Sequence, residues 1–455
     1  MALVALDALG PMGEYRTRKP ELVCDTRGIP VAELSVVPRL YVTRSVSTQR
    51  AAKPLPLAER ESALALASEV FLTAHIAGLD FAEYVALTCR VTGLPMRVAH
   101  AGGQVVADAL ATTFDAIRPA QPAGSMLDWR DVDERGGSVW ARRGEVLAVL
   151  APGNAPGVHG LWPQALALGY RVVVRPSRRE PFTAHRLTIA LRQAGFRDEH
   201  VLCLPTEHAV ADELVRAADL AMVYGGDDVT DRHASDPTVL VNGPGRTKIV
   251  ITADCDWREH LDVIVESIAG LGGMACVNTT AVLCEGDPEP LARAIAERLS
   301  VATPLSNADG AATLPTMPLA DARALAERLG RRGLGTEAVL GADQVVVDLG
   351  DGYAALRPAV HLMRRPDVDV INVELPFPCV WVSGWTKADG LGPLRNSLVV
   401  NAITTDDALI DDLLADPTVT NVYSGSCPTQ YATPRIPHDG YLADFLMRNK
   451  GFIRT

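Results

Sequence analysis

Between Glu145 and Thr252 the chain alternates short apolar runs with longer stretches of mixed polarity. The runs are VLAVLA (146–151), YRVVVR (170–175), HVLCLP (200–205), DLAMVY (219–224) and KIVIT (248–252). Near-continuous apolar runs separated by helix-length segments predict βαβ units around a parallel sheet buried on both faces. The stretch from Thr183 to Gly195 is one such connecting helix, closed by Ala194-Gly195. Upstream, Leu64, Val70, Phe71 and Ala74 recur at helical steps in a segment that starts at Leu57 and stops at Gly78, and a second helix ends near Gly93. The first fifty residues carry Pro20, Pro30 and Pro38 between short apolar runs, which predicts strands or an extended arm more than helices. Pro119 to Arg143, with GGSVWARRG at 136–144, reads as a polar, protruding hairpin. After Trp257 a helix runs to Gly270, and TTAVLCE (279–285) followed by PEPLARAIAERL (288–299) opens a second α/β unit. The expected boundary between the two domains lies near residue 253, with no internal repeat and no low-complexity tract.

Composition agrees with a soluble globular chain of 455 residues, 48% hydrophobic and 22% charged. Lys and Arg number 43 against 55 Asp and Glu, a net charge of −12, which disfavours nonspecific binding to nucleic acid or anionic membranes. The longest stretch without Asp, Glu, Lys or Arg, Val146 to Tyr170, contains Pro152, Pro156, Pro163 and four glycines, so no membrane-spanning helix is expected. The residues from Met1 to Glu14 include Asp7 and no leading cationic segment, unlike a secretory signal, so the cytoplasm is the expected location. Eight cysteines are spread too widely for a disulfide framework or a zinc ribbon, and no metal site is expected.

Five places could carry chemistry. Cys276 lies in GLGGMACVNTT (270–280), a glycine-rich elbow between a helix end and a strand start. A thiol there can attack a carbonyl carbon while its own N–H holds the developing oxyanion, although a small buried hydrophobe in a turn is the bland alternative. Asn154 sits in APGNAPG (151–157) after the first parallel strand, at the edge where such sheets bind ligands, and its amide is either an oxyanion donor or part of a tight turn. Arg175, Arg178 and Arg179 follow the second strand and could clamp phosphate or form a solvated turn. In YGGDD (224–228), Gly225 and Gly226 allow close approach of a pyrophosphate, whereas Asp227 and Asp228 would repel one or cap the following helix. Glu374 stands in a proline-rich turn, NVELPFPCVWV (372–382). The usual GxGxxG fingerprint is absent.

In this order the five pieces resemble the aldehyde dehydrogenase superfamily, with its strand–PWN loop, strand–KPSE, glycine turn, Gly-rich Cys elbow and E-x-F-G-P segment. The matching residues are Asn154, Arg175-Pro176-Ser177, Gly225-Gly226, Cys276 and Glu374-Leu375-Pro376-Phe377-Pro378. The resemblance implies two doubly wound parallel-sheet domains plus a small oligomerisation element. These are a cofactor domain at 1–252, with an oligomerisation hairpin at about 120–147, a catalytic domain at 253–425, and a C-terminal oligomerisation tail at 426–455. The hairpin, around Trp140 to Leu147, pairs with that tail in the resemblance, and a homodimer or homotetramer is implied.

One departure redirects the expected chemistry. Aldehyde-oxidising members carry a Glu before the catalytic Cys to activate water, and here the corresponding segment, VLVNGPGRTKIVI (239–251), places Asn242 near that position. An amide is no general base, so the acyl group on Cys276 is expected to pass to another nucleophile. That points to the acylating branch, and most to acyl-CoA reductases related to the fatty-acid reductase of bacterial bioluminescence. Arg178, where the family often has a Glu, favours a 2′-phosphate and hence NADPH over NADH. By the same resemblance Arg175, Ser177, Arg178, Gly225 and Gly226 hold the cofactor, and Glu374 holds its nicotinamide ribose. The expected reaction is reduction of an acyl-CoA or acyl carrier protein thioester to an aldehyde, with Cys276 as nucleophile and Asn154 as oxyanion donor. An acyl-transfer partner enzyme is a further expectation; an acidic acyl carrier protein would need a basic docking patch, for which Arg142-Arg143 or Arg331-Arg332 stand against the reading of solvated turns. The rivals are an ordinary aldehyde dehydrogenase using a substitute base such as Glu266, an acyl-phosphate reductase, and an inactive scaffold.

Overall fold

A computed structural model describes residues 3–454. Its first sheet has seven strands in the order Val239–Asn242, Leu220–Tyr224, Val146–Leu150, Arg171–Arg175, Val201–Cys203, Ala8–Gly10 and Gly13–Tyr15. The first five are parallel, and the N-terminal pair adds an antiparallel edge. The β-branched runs read from the sequence are these strands, and Val146, Val149, Val172 and Val174 are fully buried because helices cover both faces. Phe182–Gln193 and Leu57–Thr73 pack on one face, joining Phe71, Trp162, Phe182 and Leu187 to the sheet in one core.

The second sheet also has seven strands, ordered Glu337–Leu340, Ala359–Met363, Cys379–Trp385, Thr279–Glu285, Thr247–Ile251, Ser397–Ile403 and Val419–Ser424. All but the first run parallel. Successive residues point to opposite faces, so Val250, Leu283 and Trp381 join one core while Ile249, Val282 and Val382 join the other.

Four expectations need correction. The run at 248–252, taken as the last strand of the first sheet, is Thr247–Ile251 near the centre of the second; the chain leaves the first sheet at Asn242. A strand buried on both faces carries no periodic mark of the sheet to which it belongs. Second, the N-terminal fifty residues are not all extended. After strands that end at Leu34, Arg39–Ala51 is a helix whose Val42, Ser45, Val46 and Gln49 are buried at three- and four-residue steps.

Third, the segment 120–147 is not a hairpin. Ser125–Met126 runs parallel to Gly137–Arg142, and the antiparallel partner of Gly137–Arg142 is Met447–Phe452, with Trp140 opposite Asn449. Fourth, the C-terminal stretch does more than form a tail. Only Met447–Phe452 makes that strand; Leu442–Leu446 is a helix packed into the first core, and the loop before it lies against the second domain. No helix among the described residues is long and apolar enough to cross a membrane.

Tyr170 ties this returning segment to the first sheet. Its buried hydroxyl accepts from the N–H groups of Arg143 and Gly144, 3.0 Å each, and donates to the Leu446 carbonyl at 2.5 Å. Tyr170→Phe leaves the Gly144 N–H without a partner at a buried junction, while the Arg143 N–H keeps its 2.9 Å bond to the Leu446 carbonyl, and is expected to cost about 1–3 kcal/mol in urea unfolding. An unchanged unfolding free energy would show that the C-terminal segment is held elsewhere.

Candidate active site

The helix Leu261–Ala269 gives way to a sharp turn in which Leu271, Gly272 and Gly273 all have positive φ, at 56°, 74° and 66°. Gly273 needs its missing side chain twice over: a Cβ would stand 2.4 Å from the Pro378 nitrogen, so the elbow lies directly against the Glu374–Pro378 loop. Asn278 fastens the turn. Its Oδ1 accepts from the Ala275 N–H at 2.9 Å, and its Nδ2 donates to the carbonyls of Ser267 and Gly270.

Cys276 sits on this elbow, half-buried. Thr247 Oγ1 donates to its carbonyl at 3.0 Å, and its own N–H donates to no group of the protein among the described residues, which leaves it free for an oxyanion. On the other side Gly245 presses against the Cys276 backbone so closely that a Cβ would lie 1.8 Å from the Cys276 oxygen. The Gly245 N–H donates to Glu374 Oε2 at 3.1 Å. Burial raises the Glu374 pKa, partly offset by the N–H groups of Arg246 and Gly245. Cys276 and Glu374, more than ninety residues apart in the chain, are thus brought to one place.

The sulfur has a partner that sequence reasoning missed. Cys276 Sγ lies 3.4 Å from His438 Nε2, and His438 Nδ1 lies 2.5 Å from Asp439 Oδ2. Burial alone would lower the His438 pKa, but the hydrogen bonds and charges of Asp439 and Cys276 outweigh it and raise the pKa well above the usual histidine value. Tyr224, at the end of a first-sheet strand, faces the same group, its pKa raised by burial and then by the charges of Asp439 and Cys276. The histidine is carried by the loop at 425–441, pinned by Thr429 N–H to Ser267 Oγ, by Asn401 Nδ2 to the carbonyls of Gly425 and Cys427, and by Asn421 Nδ2 to the His438 carbonyl.

Asn242 ends the first-sheet strand opposite Tyr224, 3% exposed, its amide close to the Tyr224 hydroxyl and in well-aligned hydrogen bonds with no group. Glu266 does not approach the sulfur as a substitute base; it is exposed and bonded to Gln430 at 3.0 Å. Asn154 lies at the carboxyl end of Val146–Leu150 with its Oδ1 buried and unpartnered, and no hydrogen bond links it to Cys276.

The remaining candidates gather at the carboxyl edge of the first sheet, where the chain order reverses on either side of Val146–Leu150. Gly153 lies against Ser177, whose Oγ is 2.3 Å from where a Cβ would be, so these two loops share one crevice. Gly225 is pinned by its N–H to the Asn242 carbonyl, and Gly226 precedes the short helix Asp227–His233. Neither Asp227 nor Asp228 caps that helix with its side chain; Asp227 instead forms a two-pronged pair with Arg246 at 2.6 and 2.7 Å, which offsets the repulsion expected of it.

Arg175 turns inward, 8% exposed, and donates to Thr206 Oγ1 and O, so it supports the crevice more than it opens onto it. Arg178 is half-exposed and pairs with Glu21 at 2.8 Å. Arg179 donates to the Thr92 carbonyl. An orphaned buried acceptor, two bare glycines, a serine hydroxyl and a mobile-length guanidinium at a sheet switch point fit a dinucleotide. Among the described residues no cluster of three or more His, Cys, Asp or Glu could hold a metal ion.

Two parallel-sheet domains, with Cys276 on a glycine elbow of one and a glycine-lined crevice at the carboxyl edge of the other, make an α/β architecture of the kind that oxidoreductases share. Comparison with known proteins specifies it: the sequence profile of the Aldehyde dehydrogenase family matches residues 39–383, and the chain belongs to this family, whose members are NAD(P)-dependent oxidoreductases acting on aldehydes. The fold is likewise the aldehyde dehydrogenase fold. A gamma-glutamyl-gamma-aminobutyraldehyde dehydrogenase from Burkholderia cenocepacia superposes with TM-score 0.84 at 16% identity, covering 99% of this chain and 97% of that one. An indole-3-acetaldehyde dehydrogenase solved with NAD+ gives TM-score 0.82 at 16% identity, covering 99% and 97%. In sequence, a probable methylmalonate-semialdehyde/malonate-semialdehyde dehydrogenase (acylating) of Caenorhabditis elegans is 29% identical over 148 residues, 30% of this chain and 28% of the relative's length.

Proposed function

We propose that this protein interconverts an aldehyde and an acyl thioester through an acyl group carried on Cys276. The observation that carries this reading is the thiol elbow itself, with a free N–H beside the sulfur and, at the family's base position, the amide of Asn242. The word "acylating" in the name of the Caenorhabditis elegans relative agrees with it.

Each step draws on groups of this chain. In the oxidative direction the Cys276 sulfur bonds to the aldehyde carbon, and the oxygen that gains charge lies within the reach of the Cys276 N–H and, on the family pattern, the Asn154 amide. A bound NAD(P) supplies the hydride acceptor in this direction and the hydride donor in the other. The carbonyl re-forms as a thioester on Cys276, and an incoming thiol then replaces the Cys276 sulfur. The reductive direction, from acyl-CoA or acyl carrier protein thioester to aldehyde, is the same path reversed. The electrons balance as two per aldehyde, and Cys276 leaves each cycle unchanged.

In the crevice, Ser177, Gly225, Gly226 and Glu374 are the residues proposed to hold the dinucleotide, with Arg175 bracing the loop. Arg178 is proposed to exchange Glu21 for a 2′-phosphate, which favours NADPH over NADH. The strand pairing of Gly137–Arg142 with Met447–Phe452 is proposed to serve a homodimer or homotetramer. A second reading, oxidation to the free acid, has one observation in its favour: His438 with Asp439 could take a proton from water as readily as from a thiol.

Steady-state assays separate the two. Aldehyde and NAD(P)+ should turn over at least about tenfold faster when CoA is present, NADPH should be oxidised by acyl-CoA, and Cys276→Ala should abolish both. Equal rates with and without CoA would establish the hydrolytic reading instead. Arg178→Gln should raise KM for NADPH about tenfold and leave NADH unaffected, the loss of one charge-assisted contact. Equal effects on the two cofactors would remove Arg178 from the phosphate site.

A further inference from the structure

We propose that His438, oriented by Asp439, is the acid–base catalyst of Cys276 and does the proton work that Asn242 cannot. The inference rests on the reading of Cys276 as the acyl carrier and deepens it. Glu374, the carboxylate beside the elbow, is engaged by the Gly245 N–H, and the buried residue at the family's base position is an amide. The side chain that reaches the sulfur is an imidazole at 3.4 Å, inside the range for a bond to sulfur.

The second nitrogen of that ring settles the tautomer. Asp439 Oδ2 accepts from Nδ1–H at 2.5 Å, so Nε2 is the atom that exchanges a proton with whatever faces it, and Asp439 is the positioning residue. The His438 carbonyl is held by Asn421 Nδ2 at 2.6 Å, which fixes the backbone behind the ring. Three groups face this imidazole or its carboxylate: Cys276 from the elbow, Asp439 from its own loop and Tyr224 from the first sheet. A nucleophile, a base and an orienting carboxylate in hydrogen-bonded sequence form the arrangement that covalent catalysis by a thiol requires.

The proton path closes. With the sulfur as thiolate and His438 protonated, S–C bond formation moves the negative charge to the aldehyde oxygen, and the Nε2 proton follows it. Loss of hydride from the carbon, taken up by NAD(P)+, returns that proton to Nε2 as the thioester carbonyl forms, and His438 then gives it to solvent. The incoming thiol passes its proton to the neutral Nε2 while its sulfur bonds to the acyl carbon. The Cys276 S–C bond breaks, and the starting pair of thiolate and imidazolium is restored. The sum is aldehyde, NAD(P)+ and thiol giving thioester, NAD(P)H and one proton.

Alkylation of Cys276 tests the pair without any turnover. The full-length protein and its His438→Gln and Asp439→Asn variants are treated with iodoacetamide across a pH series, and modification of the Cys276 peptide is followed by mass spectrometry. The wild-type protein sets the reference rate at each pH. His438→Gln should slow it at least about tenfold at neutral pH and move its midpoint toward that of a free thiol, about 8.5. Asp439→Asn, which keeps the imidazole, should fall between. In the steady-state assay with aldehyde, NAD(P)+ and CoA, His438→Gln should lose about 10²–10⁴ in kcat. A folded His438→Gln protein with an unchanged alkylation profile would overturn the proposal, as would an Asp439→Asn profile unlike wild type beside a His438→Gln profile identical to it. If alkylation depends on His438 but neither aldehyde nor thioester turns over, the pair stands and the reading of function fails.

Discussion

An absent side chain holds this site together. Gly245 lies where the chain crosses from the first sheet to the second, and its α-carbon rests against the Cys276 carbonyl with no room for a methyl group. Its N–H is spent on Glu374, and its carbonyl accepts from the Leu398 N–H at 2.7 Å, which starts the pairing of Thr247–Ile251 with Ser397–Ile403. One residue therefore links the domain crossover, the Cys276 backbone, the Glu374 carboxylate and the register of the second sheet. The Gly273 contact with Pro378 locks the opposite side of the same elbow. Because backbone packs on backbone at both glycines, the sulfur is placed by close packing, which deforms little.

Charge at the crevice is balanced pair by pair. The protein is acidic overall, yet Asp227 is met by Arg246, Glu21 by Arg178, and Arg246 in turn leaves its carbonyl to the buried Lys248. Burial, and then Arg246, push the Lys248 pKa down to about 7, against the pull of Glu374. Its Nζ also donates to the Arg395 carbonyl and to Ser397 Oγ, so this lysine braces the crossover from beneath and stays out of reach of a ligand. Of the three arginines of this loop, Arg178 and Arg179 are exposed at the sheet edge and Arg175 is buried beneath them.

What was legible in the sequence follows from how each signal is encoded. The apolar runs and their glycine stops are local, and the strands Val146–Leu150, Arg171–Arg175, Leu220–Tyr224 and Thr279–Glu285 lie where those runs do. The elbow was legible because Gly272, Gly273 and Cys276 are neighbours. Sheet membership was not, since Thr247–Ile251 is as apolar as the strands before it and only its partners tell it apart. The helix Arg39–Ala51 was hidden by a polar composition that leaves just Val42 and Val46 as its apolar anchors. His438 and Asp439 were missed for a different reason: they lie 162 residues beyond Cys276, in a stretch rich in proline and glycine that the resemblance assigned to a tail. A His-Asp dipeptide was the available signal, and nothing local distinguishes it from a surface turn.

In the proposed function an acyl group rests on Cys276 until a thiol takes it. Intact-protein mass spectrometry after mixing with a short acyl-CoA and gel filtration measures this directly. The account predicts one acyl mass per chain, absent in Cys276→Ala, stable in buffer over the time of the measurement and discharged when free CoA is added. An adduct that decays equally fast in buffer alone would contradict it and make water the natural acceptor.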